Sequence, residues 1–366
     1  MSRRQLRVGF IIDGRVPSLA SVARRKIRPW EWLLGCQTSS SVGLMRFGWI
    51  ARELAAQGVS YSSYHPLRCY DAVVFLKSMS DEARHLAQEL RAKGTRVIFD
   101  VNVDYFTPAE GTFYYREMAP SAEQQQQAVA MAAQSDALIA DSSHLARACT
   151  GHHARIRWIP DNVDMRLAPR RRAWSRAGKL DLLWSGEAVK LFELLSIDDV
   201  LREFAGHIRL TLVTGGLAAL DRWLPPWRER FESLLGAVEH SIVPFDSIPS
   251  LLKLYGHGGV FVSPRFLDNT YNLGHTEWKI ALPMACGRVA LGSPLPSYLD
   301  VAERSAGHGL RICHDAAQWR ENLDAILSGG FDFESEENAA REVIARHYST
   351  PVVATAHRQF MEEICG

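Results

Sequence analysis

The stretch LRVGFII at residues 6–12 decides how the rest of the chain is read. It is short, rich in branched side chains and apolar on both faces. A strand with one wet face would alternate, so this one belongs in a parallel sheet covered by helices on both sides. Working outward, residues 43–57 place Leu44, Phe47, Ile50 and Leu54 at helical spacing, and Gly58 closes that helix. The stretches AVVFL (72–76), RVIFD (96–100), DALIA (136–140) and 155–159 read as further strands. Between them, 81–92, 122–133 and 142–149 read as helices, the last capped by Ser142 or Ser143. Residues 14–42 and 101–120 carry no regular pattern.

Residues 168–178 (APRRRAWSRAG) are polar and basic, and interrupt the alternation. A second series follows. Its strands fall at 180–184, 208–213, 238–243, 259–262, 288–291 and 309–313. Its helices fall at 189–204, 220–235, 248–255, 277–286, 316–327 and 336–346, with Pro225 and Pro226 kinking or breaking the second. The final helix, 351–364, comes after the second sheet is complete and can pack back on the first domain. The fold class is therefore α/β, with two doubly wound Rossmann-like parallel-sheet domains. We expect an N-terminal domain at 1–167 plus a returning helix at 349–366, a linker at 168–179, and a C-terminal domain at 180–348.

The chain has 366 residues, enough for two cores at about 150 residues per domain. Its 42 basic and 41 acidic side chains nearly cancel, which argues against a nucleic-acid partner whose phosphates would need neutralising. The six cysteines stand singly at 36, 69, 149, 286, 313 and 365, with no zinc or disulfide spacing, as suits a reducing compartment. The opening MSRRQLRVGFIIDG holds too short an apolar run for a signal sequence. A cytoplasmic protein is expected. Peripheral contact with the inner face of the membrane stays open, because Arg170, Arg171, Arg172 and Arg176 can touch anionic lipid as well as line a solvated linker.

Ligands of open parallel sheets bind beyond the carboxyl ends of the strands. Five segments there carry polar chemistry. Asp13-Gly14 lets a ligand approach the backbone, or is a simple turn. Asp100, Asn102 and Asp104 can bind acceptor hydroxyls or supply a base, or serve as turn and capping groups. Ser185, Gly186 and Lys190 bring a hydroxyl, free N–H groups and an ammonium to a strand end, where a diphosphate fits. Val243, Phe245 and Ile248 can meet the edge of a base, with Phe245 as an apolar wall or as plain core; Thr214 and Gly215 end the neighbouring strand. The fifth segment, SPRFLDNTYNLGHTEWK (263–279), gathers the most donors. His275 and Thr276 fall at a helix N-terminus with Lys279 one turn inside, a suitable anion site. No P-loop, no G-x-G-x-x-G after the first strand and no G-x-S-x-G elbow occurs. His152-His153 reads as a surface turn, and no metal site is expected.

Three runs carry a family resemblance. WIPDNVD (158–164) looks like an I-P-N-G-V-D segment, LLWSG (182–186) like the start of a second domain, and Lys279 with MACG (284–287) and Val289-Ala290 like a K-x-x-E-x-M-A-x-G-x-P-V-V-A run. Their order and spacing resemble the GT-B glycosyltransferases, and within them the retaining, family-4-like group. Two glutamates usual in that group fall here on Gly274 and Leu282, while Glu277 with Asn269 repeats their separation in a shifted register.

The resemblance implies two domains facing a cleft, with the C-terminal helix crossing back to the first. It implies a hexosyltransferase moving a sugar from a nucleotide-diphosphate donor to a glycan, lipid-linked or small-molecule acceptor, with retention, no metal and no tightly bound cofactor. Lys279, Lys190 and Asp104 would carry the catalysis. Gly14, Ser185, Gly186, Lys190, His275, Thr276 and Lys279 would hold the diphosphate. Thr214, Gly215, Val243, Phe245, Ile248, Asn269 and Glu277 would hold base and ribose, and Asp100, Asn102 and Asp104 the acceptor. A sugar-nucleotide epimerase of the same fold and a non-catalytic nucleotide-sugar-binding subunit are the alternatives.

Overall fold

The computed structural model describes residues 5–12, 14–34, 43–115, 118–169, 178–257 and 259–366. Asp13, Arg170, Arg171, Arg172 and Arg176 lie outside the described residues, as does most of the expected linker. The chain forms two compact units. The first comprises Met1–Pro108, Pro120–Asn162 and Tyr348–Gly366; the second comprises Ala109–Ala119 and Val163–His347.

The first unit is built on six parallel strands in the order β2-β1-β3-β4-β5-β6. They are β1 (Leu6–Ile12), β2 (Val59–Ser63), β3 (Ala72–Leu76), β4 (Arg96–Val101), β5 (Ala137–Ala140) and β6 (Ile156–Trp158). The continuous apolar runs have the cause expected of them. Along β3, Val73 and Phe75 enter one core with Ala83, Ala87 and Met131 from the helices Asp81–Ala92 and Ala122–Gln134. Ala72, Val74 and Leu76 enter the other, with Ile50 and Leu54. Each large side chain so enclosed contributes about 1.5–3 kcal/mol. That second core also takes Val353, Phe360 and Met361 from the helix Thr350–Cys365, which packs on the helix Trp49–Ala56.

The pattern does not announce β2. Its sequence, VSYSS, mixes serines into an edge strand whose burial alternates. The predicted helix at 43–57 is a π-helical turn, Leu44–Gly48, running into Trp49–Ala56.

The second unit holds β7 (Leu180–Ser185), β8 (Ile208–Thr214), β9 (His240–Pro244), β10 (Val260–Ser263), β11 (Ala290–Gly292) and β12 (Leu310–Ile312), all parallel in the order β12-β11-β10-β7-β8-β9. Strand order reverses between β7 and β10, so the crevice beyond their carboxyl ends is where the topology leaves room for a ligand. One helical stretch differs from expectation. Residues 188–203 begin as a 3-10 helix, Ala188–Ile197. Of the kink or break expected at Pro225 and Pro226, the structure has the break, with Leu217–Arg222 before it and a new helix, Pro225–Ala237, started by the two prolines. Residues 109–119 depart from β4 of the first sheet yet pack within the second unit.

Candidate functional site

The site is assembled at the reversal in the second sheet. β7 ends at Ser185, whose Oγ lies 2.6 Å from the Tyr255 hydroxyl. The next residue, Gly186, has room for no side chain: a Cβ there would come 2.9 Å from the Trp184 ring and 3.5 Å from Lys279 Nζ. Thr214, at the end of β8, donates its hydroxyl to the Gly186 carbonyl at 2.7 Å and so ties the two strand ends together.

Across the reversal, the loop after β10 leads through the short helix Thr270–Leu273 to the helix Trp278–Ala285. Lys279 stands at the start of the latter, its Nζ 4.0 Å above the Trp184 ring. That nitrogen is buried and has no hydrogen-bond partner among the described residues. Burial, with Arg265 and Lys190 nearby, pushes its pKa well below the ordinary lysine value, although Glu193 pulls the other way.

Glu193 is fully buried. It accepts from Arg265 Nη1 at 3.3 Å and from the Phe266 N–H at 2.9 Å. Lys190 Nζ lies 3.1 Å from His275 Nε2 and 5.6 Å above the Tyr271 ring. Three cations thus converge with one carboxylate at a strand-end crevice. That excess of positive groups is one an anion could balance.

The other expected residues divide. Thr276 receives the Trp278 N–H at 3.4 Å, and Glu277 is enclosed at the helix start. The Asn269 side chain accepts from Asn272 N at 2.8 Å and donates to Asp268, so it shapes its own loop. Gly215 is exposed beyond β8. Phe245 N donates to the Thr214 carbonyl at 2.9 Å while its ring stays 45% exposed, which makes it a wall and not core. Val243 and Ile248 flank it, half-buried.

Gly14, Asp100, Asn102 and Asp104 are all in the first unit. The Gly14 N–H donates to Ser78 Oγ at 2.8 Å, and its φ of +66° explains the glycine. Asp100 differs most from its expected role. It is fully enclosed, with Arg46 Nη2 2.8 Å from Oδ1 and Nε 3.1 Å from Oδ2, so no oxygen faces an acceptor. Asn102 donates to Asp141.

Asp104 accepts the Phe106 and Thr107 N–H groups at 3.0 and 2.9 Å through Oδ1, which is the turn chemistry of an aspartate. Its Oδ2 lies 3.7 Å from His144 Nε2. Burial raises the Asp104 pKa, but the bonds from His144, Thr107 and Phe106 outweigh it and hold the carboxyl below its usual value. Three site residues went unnamed in the sequence reading: His144, Arg265 and Glu193. A glutamate inside the apolar run AVKLFELLSI was the available signal, since a buried charge needs a partner. Among the described residues, no three His, Cys, Asp or Glu side chains gather as metal ligands, and no helix is long and apolar enough to cross a membrane.

No protein-family profile matches the chain, and no curated protein resembles it in sequence. Its architecture, two six-stranded all-parallel Rossmann-like sheets, is the GT-B fold of nucleotide-sugar glycosyltransferases. Similar solved structures include HepE of Anabaena in complex with UDP, at TM-score 0.64 and 10% identity over 98% of this chain and 100% of that one. Sucrose-phosphate synthase of Thermosynechococcus elongatus superposes at 0.63 with 13% identity over 99% of each chain. A glycosyltransferase of Rickettsia africae does so at 0.61 with 11% identity over 98% of each.

Proposed function

We propose that the chain is a glycosyltransferase that moves a sugar from a nucleoside-diphosphate donor to an acceptor hydroxyl, with retention of configuration and without a metal. The observation that carries this reading is the buried, unpartnered ammonium of Lys279 at the strand reversal, beside Arg265 and Lys190. HepE, of the same fold, was solved with UDP and with UDP-glucose.

In this reading the donor lies along the carboxyl edge of the second sheet. Phe245 faces the base beyond β9, and Gly186 and Lys279 meet the diphosphate at β7. Two strand spacings, about 10 Å, separate those ends, a fair match to the reach from a base to its second phosphate. As the bond to the sugar breaks, negative charge grows on the leaving phosphate. Lys279, with Lys190 and His275, meets that charge in a site poor in water, where such contacts are strongest. Gly186 lets the diphosphate approach the backbone. Same-face attack by the acceptor needs no protein nucleophile. Asp104 and His144, in the first unit, are the groups suited to hold an acceptor hydroxyl; Asp100 is not among them, because Arg46 occupies it.

The test is turnover of UDP-, GDP-, ADP- and dTDP-glucose by the full chain, with Lys279→Ala beside it. One donor should be consumed, and the variant should be slower by roughly two orders of magnitude or more. A panel that neither binds nor turns over, or a variant at normal rate, contradicts the reading.

A further inference from the structure

Residues 109–115, in the β4–β5 connection, pack on the loop that carries the donor-site residues. Tyr114 is 1% exposed. Its ring is stacked on Phe266 at 4.5 Å and Phe192 at 4.7 Å, with Trp227 edge-on at 4.8 Å. Its hydroxyl donates to Asp268 Oδ2 at 2.8 Å. The backbone joins in: Gly111 bridges Asn269, Tyr115 bridges Trp223, Thr112 N donates to the Asp268 carbonyl, and Thr270 N donates to the Glu110 carbonyl at 3.1 Å. Gly111 is required at this crossing, because a Cβ there would fall 1.8 Å from the Asp268 carbonyl oxygen.

Tyr115 is buried beside it, its ring 6.0 Å from Phe192. The short helix Thr270–Leu273, whose first N–H is held by the Glu110 carbonyl, carries Tyr271, whose ring lies edge-on to His275 at 4.7 Å and beneath Lys190 Nζ. A plain connection between strand and helix has no need of two buried tyrosines, a main-chain bridge on each side and a glycine at the crossing. Every one of these contacts converges on residues 266–275 or on the groups beside them.

We propose that residues 109–115 are a positioning strap of the donor site, in which Tyr114, with the backbone of Glu110, Gly111 and Thr112, fixes the Asp268–Asn272 turn and through it Tyr271, His275 and Lys190. The proposal rests on reading this site as the donor diphosphate site. Tyr114 acts through the turn and not on the donor, so its loss is felt most where charge develops, in the transition state.

The test uses Tyr114→Phe in the full chain, which keeps the ring in place and removes the bond to Asp268. It should lower kcat about tenfold while KM for the donor sugar nucleotide, and Kd for UDP, change less than threefold. In the absence of any ligand, the His275 ring resonances, assigned with His275→Gln, should shift in Tyr114→Phe. A Tyr114→Phe protein of lowered Tm but unchanged kcat and unchanged His275 resonances overturns the strap, since that is what a merely structural role predicts. Should no sugar nucleotide bind the parent chain, the donor reading fails, and the His275 resonances alone still decide whether the strap positions the loop.

Discussion

Two charges are buried at the carboxyl ends of the two sheets, and they are treated oppositely. In the first unit, Arg46 is fully enclosed and fully answered. Besides its two-pronged pair with Asp100, it donates to the Ile159 and Pro160 carbonyls at 2.9 and 3.1 Å and approaches Asp161 at 3.4 Å. In the second unit, Lys279 is only partly enclosed as a residue, but its nitrogen is buried and, among the described residues, has only an aromatic face beneath it. A buried charge satisfied by its own chain is architecture. One held ready without a partner lowers stability, and such a cost is tolerated where a ligand provides the missing anion.

Substitutions should separate the two regions. The largest effect is expected at Arg46. Arg46→Met strands Asp100 and Asp161 in the interior and should cost about 3–5 kcal/mol, read as a lowered midpoint in urea denaturation. Lys279→Met should do the reverse: the free protein loses no stability, or gains some, while donor turnover falls roughly a hundredfold or more. Equal destabilisation by the two changes would erase the distinction drawn between them.

Protonation sharpens the same comparison. His357 is buried beside Arg46 with no partner on either ring nitrogen, and burial holds its pKa well below the usual value of about 6.5. Below that pH the unfolded chain takes up a proton that the folded chain refuses. Stability is therefore present above about pH 6.5 and lost as pH falls beneath it, by up to about 1.4 kcal/mol per unit. Asp141, whose pKa burial and Asp161 push well above the ordinary value, runs the other way: it costs stability as pH rises above the ordinary carboxyl value. Urea denaturation at pH 5 and 7 should show the histidine slope in the parent protein and a flatter one in His357→Leu. The smallest effect is expected at Phe245, whose half-exposed ring is the proposed base wall; Phe245→Ala should weaken nucleoside-diphosphate binding about tenfold by calorimetry without altering the Tm.

Much of this was legible in the chain itself. Runs such as AVVFL and RVIFD declare buried parallel strands because both faces must be apolar. The donor-rich stretch at 263–279 stands out by its N–H groups, hydroxyls and cations, and the structure brings its His275 to Lys190. What stayed hidden was whatever depends on partners distant in sequence. Asp100 looks like an acceptor ligand until Arg46, 54 residues earlier, folds against it. Tyr114 and Tyr115 sit in a stretch with no period, and their meaning lies in Phe192, Phe266 and Asp268. The edge strand VSYSS lacks the second apolar face that makes an inner strand recognisable.

Proton linkage tests the central claim most directly. Burial, with Arg265 and Lys190 nearby, holds the Lys279 pKa well below the ordinary lysine value, and an arriving diphosphate should raise it. Calorimetric titration of the full chain at alkaline pH with the nucleoside diphosphate it prefers, in buffers of different ionisation heat, should show proton uptake on binding, absent in Lys279→Met together with most of the affinity. Binding without proton uptake, or binding undiminished in Lys279→Met, would contradict the account.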